Sequence, residues 1–204
     1  MQLITYNTQQ ILEPSVITVG SFDGVHLGHQ SLFKKMNHYS KMNNCKSVVI
    51  TFNPHPQEVL QNKPDFFLIN SFEQVLQLFE EFGMDMTYVI PFSTAFSKKT
   101  AFQFFEEDIF STINVKAIFL GPNHHFGKQR EGDAETLHRI CEERNIEVVV
   151  AQKYKVDSVE VSSTLIRKYL KANDFQSAER LMGHRLIKED FISKNCVYLQ
   201  PQII

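Results

Sequence analysis

At 204 residues the chain suits one ordinary domain that buries roughly two thirds of the surface its unfolded form exposes, so a core without covalent staples is expected. A formal net charge of -2 excludes an overall basic field for gathering nucleic acid, and any anionic ligand has to be held by a local site. Cys45, Cys141 and Cys196 fit neither a zinc spacing nor a disulfide framework, residues 1–14 lack a signal-peptide pattern, and no stretch approaches the ~20 apolar residues of a membrane span, so a reduced, cytoplasmic chain away from membranes is expected.

In chain order, residues 16–22 form a short run rich in Val and Ile that reads as a strand buried on both faces. Residues 27–42 have helical length, and 46–52 form a second buried strand. Residues 71–82 read as a helix, with Phe72, Val75, Leu76 and Phe79 on one stripe and Ser71 placed to cap its start. A strand at 84–91, a helix at 100–110, a strand at 115–121, a helix at 134–144 and a strand at 146–151 follow. The alternation predicts an α/β fold, a Rossmann-like parallel sheet with helices on both faces and right-handed crossovers. Two short helices, 164–171 and 175–182, close the pattern, and 195–204 reads as an edge strand or a remnant of truncation. The 18 phenylalanines and absent tryptophan predict an aromatic-rich core, with a few rings left to stack on a ligand.

Ligands of such sheets bind beyond the carboxyl ends of the strands, near the reversal of strand order. Six of the eight glycines fall in two windows, each opening where a strand ends. The first reads Gly20-Ser-Phe-Asp-Gly-Val-His-Leu-Gly-His29. His26 and His29 share one helical turn, and the free amides of a helix start suit anionic oxygens. It is neither a Walker loop nor a dinucleotide fingerprint. Metal ligation and a purely structural pair remain open alternatives, and the glycine setting favours phosphate. The second window reads Gly121-Pro-Asn-His-His-Phe-Gly-Lys-Gln-Arg-Glu-Gly-Asp133, whose amide, imidazole, aromatic and basic groups suit a planar ligand with polar edges, or a solvated surface turn. In Val161-Ser-Ser-Thr-Leu-Ile-Arg167, Ser163 or Thr164 suits phosphate at a helix start with Arg167 one turn on; an ordinary cap with a surface arginine is the alternative. Thr51-Phe-Asn-Pro-His-Pro56 is a loop stiffened by Pro54 and Pro56, a ligand wall or simply a turn.

Taken in this order, the four segments resemble the adenylyltransferase module of the bifunctional riboflavin kinase/FMN adenylyltransferase family, the prokaryotic FAD synthetases, over residues 14–185. The first window matches the family's Gly-x-Phe-Asp-Gly-Val-His-x-Gly-His signature, and Ser162 to Arg167 matches Ser-Ser-Thr-x-Ile-Arg. His124 stands where the family usually has phenylalanine. The resemblance implies a transferring domain over 1–185 and a tail over 186–204 without the kinase barrel, hence no riboflavin kinase activity. It implies direct attack of the FMN phosphate on the α-phosphorus of ATP, giving FAD and pyrophosphate with Mg2+ held mainly by phosphates and water.

The same resemblance assigns His26, His29 and Arg167 to catalysis. It assigns Gly20, Ser21, Phe22, Asp23, Gly24, Ser163 and Thr164, with those three, to ATP. Asn53, Pro54, His55, Pro56, Asn123, Phe126, Gly127 and Arg130 fall to FMN. A nucleotidylyltransferase for another phosphorylated acceptor, such as phosphopantetheine, a nicotinamide mononucleotide or a phosphorylated alcohol, and a non-catalytic flavin or nucleotide sensor are the alternatives. No nucleic-acid or membrane partner is expected, and the oligomeric state is left open.

Overall fold

Short β-branched runs that are apolar on both faces can be satisfied only inside a sheet covered twice. The computed structural model describes residues 1–61, 66–187 and 191, and it folds these runs in that way except the last, 146–151, which lies at the sheet edge with none of its strand residues fully buried. In chain order come β1 (Gln2–Thr5), β2 (Ile11–Val19), α1 (Leu27–Met42), β3 (Lys46–Phe52), α2 (Pro56–Leu60), α3 (Phe72–Glu81) and β4 (Met86–Ile90). Next are α4 (Ala101–Gln103), which widens into a π-helical stretch over Phe104–Phe110, then β5 (Ile113–Leu120), α5 (Ala134–Cys141) and β6 (Glu147–Val150). A small hairpin of β7 (Lys155–Val156) and β8 (Val159–Glu160) leads to α6 (Ser163–Lys171) and α7 (Phe175–Met182).

The sheet has the order β1-β4-β3-β2-β5-β6, and every pairing in it is parallel. From β2 the chain moves outward through β3 to β4, then returns to the other side of β2 as β5. The reversal of direction therefore lies between the carboxyl ends of β2 and β5, where the two glycine windows begin.

One face of the sheet packs Ile17, Val19, Ile50 and Tyr88 against Phe104, Phe105, Ile109 and Leu137. The other packs Val16, Val49 and Phe119 against Phe33 and Met36 of α1 and Val75 and Phe79 of α3. Ser71 caps α3 as its sequence predicts, and Gln74 closes a capping box with it. A third cluster joins α6 and α7 to Phe67 and Ile69, and Leu186 and Phe191 also pack there.

Three differences from the sequence reading have physical reasons. The sheet gains β1, an edge strand of four residues in which only Ile4 is buried, too short to show a period. The β7–β8 turn runs through left-handed Asp157 and Ser158, the backbone of a primed hairpin turn written without glycine. The expected helix over 100–110 is α-helical for three residues only and continues with π geometry, placing Asp108 inside, where it accepts hydrogen bonds from Tyr6 and Lys99. The strand expected at 195–204 lies outside the described residues.

Candidate active site

Between β2 and α1 the backbone turns through left-handed conformations at Phe22 (φ 48°), Gly24 (φ 84°) and Val25 (φ 36°). Such angles are costly for a bulky or β-branched residue and persist only where the surroundings fix them. Here three consecutive carbonyls are held, the first two by residues far along the chain and the third from α1 itself. Ser163 Oγ donates to the Asp23 oxygen at 2.9 Å, His184 Nε2 to Gly24 at 2.8 Å, and Gln30 Nε2 to Val25 at 2.9 Å.

The side chain of Asp23 is turned inward. Only 5% exposed, it accepts from the amides of Ile69 (3.0 Å) and Asn70 (3.4 Å) and forms an ion pair with Arg167. Burial pushes its carboxyl upward, while the guanidinium and the two amides pull it back. Arg167 in turn donates Nε to the Phe67 carbonyl at 2.8 Å and lies 4.5 Å over the Phe66 ring, which stacks on His55 at 4.8 Å. His55, Phe66, Arg167 and Asp23 thus form a continuous wall.

His26 caps α1, its Nδ1 accepting from the His29 amide at 3.4 Å, and its ring stacks on that of His29 with centroids 3.7 Å apart. Phe22 meets the His29 ring edge-on at 5.1 Å. His29 borders the cleft above, while its Nδ1 is buried with no hydrogen-bond partner.

The cleft at the strand reversal has a volume of about 960 Å3, bordered by Gly20, Ser21, His29, Thr164 and Arg167 among others. Among the described residues its lining holds the cations Arg130, Arg167, Lys168 and Lys171 and one carboxylate, that of Asp23, which is already paired. Beside it lies a second space of about 460 Å3, lined by Phe52, Phe92, Phe96, Phe104 and Phe126 with Lys99 at its edge. Val19, Gly20, Ser21, His55, Gln57, Asn123, His124 and Arg130 border both. The loop after β5 is closed by paired backbone hydrogen bonds between Phe126 and Gly132 at 3.0 and 2.9 Å. Gly127 (φ 73°) passes so near the start of α4 that an added Cβ would stand 2.6 Å from the Ala101 nitrogen.

The residues expected on the nucleotide side are mostly assembled in one cleft: Gly20, Ser21, Phe22, Asp23, His29, Ser163, Thr164 and Arg167 border it. Gly24 and His26 are buried and do not border it; His26, expected among the catalytic residues, caps α1 and stacks on His29. On the expected flavin side, His55, Pro56, Asn123, Phe126, Gly127 and Arg130 border the aromatic space, and Asn53 and Pro54 border neither. Sequence reasoning missed Lys168 and Lys171, although the spacing 164, 167/168, 171 marks one helix face. It also missed Phe92, Phe96, Lys99 and Phe104, whose types alone read as core.

Four imidazoles here are kept neutral by burial. His26, His55 and His124 are each pushed down to about 4, and His29 lies well below its usual 6.5. In the unfolded chain each takes up a proton near 6.5, so the stability they contribute is complete above that pH and is lost as pH falls towards 4. For His26 alone that span corresponds to roughly 3 kcal/mol. The raised carboxyl of Asp23 acts in the opposite direction. Urea unfolding at pH 7.5 and pH 5 is expected to give a clearly lower midpoint at pH 5; equal midpoints would mean the histidines titrate freely in the folded protein.

The family model described as FAD synthetase matches residues 8–165. The chain belongs to the FAD synthetase family. Its relatives within that family include a bifunctional riboflavin kinase/FMN adenylyltransferase of Buchnera aphidicola subsp. Schizaphis graminum, 31% identical over 87% of this chain and 57% of the relative. One of that description in Listeria monocytogenes is 31% identical over 83% of this chain and 54% of its own, and one in Escherichia coli K12 is 29% identical over 84% and 55%. The chain thus spans a little over half the length of these relatives. Among solved structures, one titled as a macrolide-efflux protein from Streptococcus pneumoniae superposes with a TM-score of 0.81 at 28% identity, covering 91% of this chain and 61% of its own. A pantoate-beta-alanine ligase from Francisella tularensis, at 15% identity and TM-score 0.52 over 97% of this chain and 86% of its own, shares the fold alone. Among the described residues of this FAD synthetase family chain, no helix is long and apolar enough to cross a membrane.

Proposed function

We propose that residues 1–185 form an FMN adenylyltransferase, which joins FMN to the adenylyl group of ATP and releases pyrophosphate. The observation that carries this reading is the pair of adjoining spaces at the strand reversal, one basic and one aromatic, sharing a seam at Ser21, Asn123, His124 and Arg130. A triphosphate suits the basic space and an isoalloxazine ring the aromatic one. The names of the relatives support the same pair of substrates.

An FMN phosphate oxygen attacks the α-phosphorus of ATP; the new P–O bond forms as the bond to the bridging oxygen of pyrophosphate breaks. No protein nucleophile takes part, so the residues act by positioning and by stabilising charge on the phosphoryl oxygens. His29, neutral and open to the cleft, donates to those oxygens. Arg167, fixed by Asp23 and Phe67, presents its remaining N–H groups to the triphosphate, with Thr164, Lys168 and Lys171 along the same helix face. Magnesium brought in with ATP would be held mainly by phosphates and water, and would neutralise charge on the phosphoryl oxygens.

Incubation with ATP, magnesium and FMN is expected to yield FAD and pyrophosphate in equal amounts. Flavin binding without product would indicate a sensor, and product only with another phosphorylated acceptor would move the chain to a different transfer.

A further inference from the structure

Of the polar seam side chains without an assigned role, Gln57 and His124, His124 stands in the loop after β5 where the family usually has phenylalanine. It borders both spaces. Its ring stacks on Phe126 with centroids 5.8 Å apart and planes at 27°, and its Nε2 is buried without a hydrogen-bond partner. A buried polar atom left unpaired in a folded protein calls for an explanation, and rotation of this half-buried ring towards the cleft it borders would give that nitrogen a ligand partner. Burial, with His125 and Arg130 nearby, keeps the ring neutral at pH 7.

An in-line transfer requires the acceptor's phosphate to stand where the two spaces meet, because its oxygen must reach the α-phosphorus from the flavin side. His124 occupies that place. We propose that His124 holds the acceptor's phosphate, donating a ring N–H to one of its non-attacking oxygens and so separating a phosphorylated flavin from an unphosphorylated one. A neutral donor suits this position, since it orients the phosphate without the full positive charge that would blunt the attacking oxygen. The inference rests on the FMN adenylylation reading and assigns the contact that this reading leaves open.

The test compares the full chain with His124→Phe, which keeps a ring to stack on Phe126 but no N–H, and His124→Gln, which keeps an N–H donor. Each is titrated separately with FMN and with riboflavin, without ATP, by quenching of flavin fluorescence. His124→Phe is expected to weaken FMN binding about tenfold to a hundredfold, the effect of one hydrogen bond to a charged group, with riboflavin binding unchanged. His124→Gln is expected to recover part of the loss. In turnover, the Michaelis constant for FMN rises more than the rate constant falls. Equal losses for both flavins would reduce His124 to a packing residue, and unchanged FMN affinity with a lower rate constant would place its action on the transfer step instead; either overturns the inference. If the unaltered chain binds neither flavin, the adenylylation reading itself fails, a result separate from any difference among the variants.

Discussion

Replacing Asp23 with alanine is expected to cost about 3–5 kcal/mol of stability, the usual loss when one partner of a buried ion pair is removed, and to abolish most turnover. The magnitude follows from what would be left behind. Arg167, 15% exposed, would keep its charge without a counterion, and the amides of Ile69 and Asn70 would lose their acceptor. For a chain of this size the melting temperature would fall by roughly 6–20 °C. Turnover suffers for a separate reason. Asp23 holds Arg167 against the first loop, and that arginine and the loop's left-handed turn both border the cleft. Asp23→Asn keeps a carbonyl oxygen for the two amides but not the charge, so it should fall between the parent and the alanine variant. Urea unfolding of all three, beside turnover at saturating ATP, checks the argument. An alanine variant within about 1 kcal/mol of the parent would mean that Arg167 finds another anion or water, and that the wall is not what shapes the cleft.

This role of Asp23 also marks a limit of what the sequence discloses. The strands β2 to β5 were legible because runs such as Val48, Val49 and Ile50 are apolar at consecutive positions, which only a doubly covered sheet satisfies, while β6, equally apolar, lies half-exposed at the sheet edge. The site was legible at its backbone, because glycines gathered at the two strand ends that meet at the reversal of order. The inward turn of Asp23 was not, since its partners stand 46, 47 and 144 residues away and nothing local distinguishes a carboxylate that meets a ligand from one that braces a loop. His26 shows the same limit: its spacing from His29 placed the two rings on one turn, but only packing shows that one lies beneath the other. The aromatic space escaped notice for a compositional reason. In a chain with 18 phenylalanines, Phe92, Phe96 and Phe104 carry no mark that separates a ligand wall from core. Phe66 was missed because its part is to carry the guanidinium of Arg167, a residue about a hundred positions away whose own place could not be fixed from sequence.

His29→Ala should lower turnover about a hundredfold or more while costing far less stability than Asp23→Ala, because the ring serves the cleft more than the core. Its contacts are ring to ring, with His26 beneath at 3.7 Å and Phe22 at its edge, and its buried Nδ1 has no hydrogen-bond partner. Removing it therefore opens space beside the cleft without orphaning another buried group. The loss in rate comes from the transition state. Charge grows there on the oxygens around the α-phosphorus, and a donor already in place stabilises it without reorganisation, which is worth about 3 kcal/mol for one such group. Because burial and the neighbouring His26 hold His29 well below 6.5, it acts as a neutral donor, and its contribution should not vary between pH 6.5 and 8. The decisive measurement is the rate constant at saturating ATP and FMN for parent, His29→Ala and His29→Gln, the last keeping a neutral N–H near the same place. A graded fall, with glutamine between the other two and all three melting within a few degrees of one another, fits charge stabilisation. Near-normal turnover in the alanine variant would make His29 a spacer above His26 and leave the cations of α6 as the groups that carry the transfer.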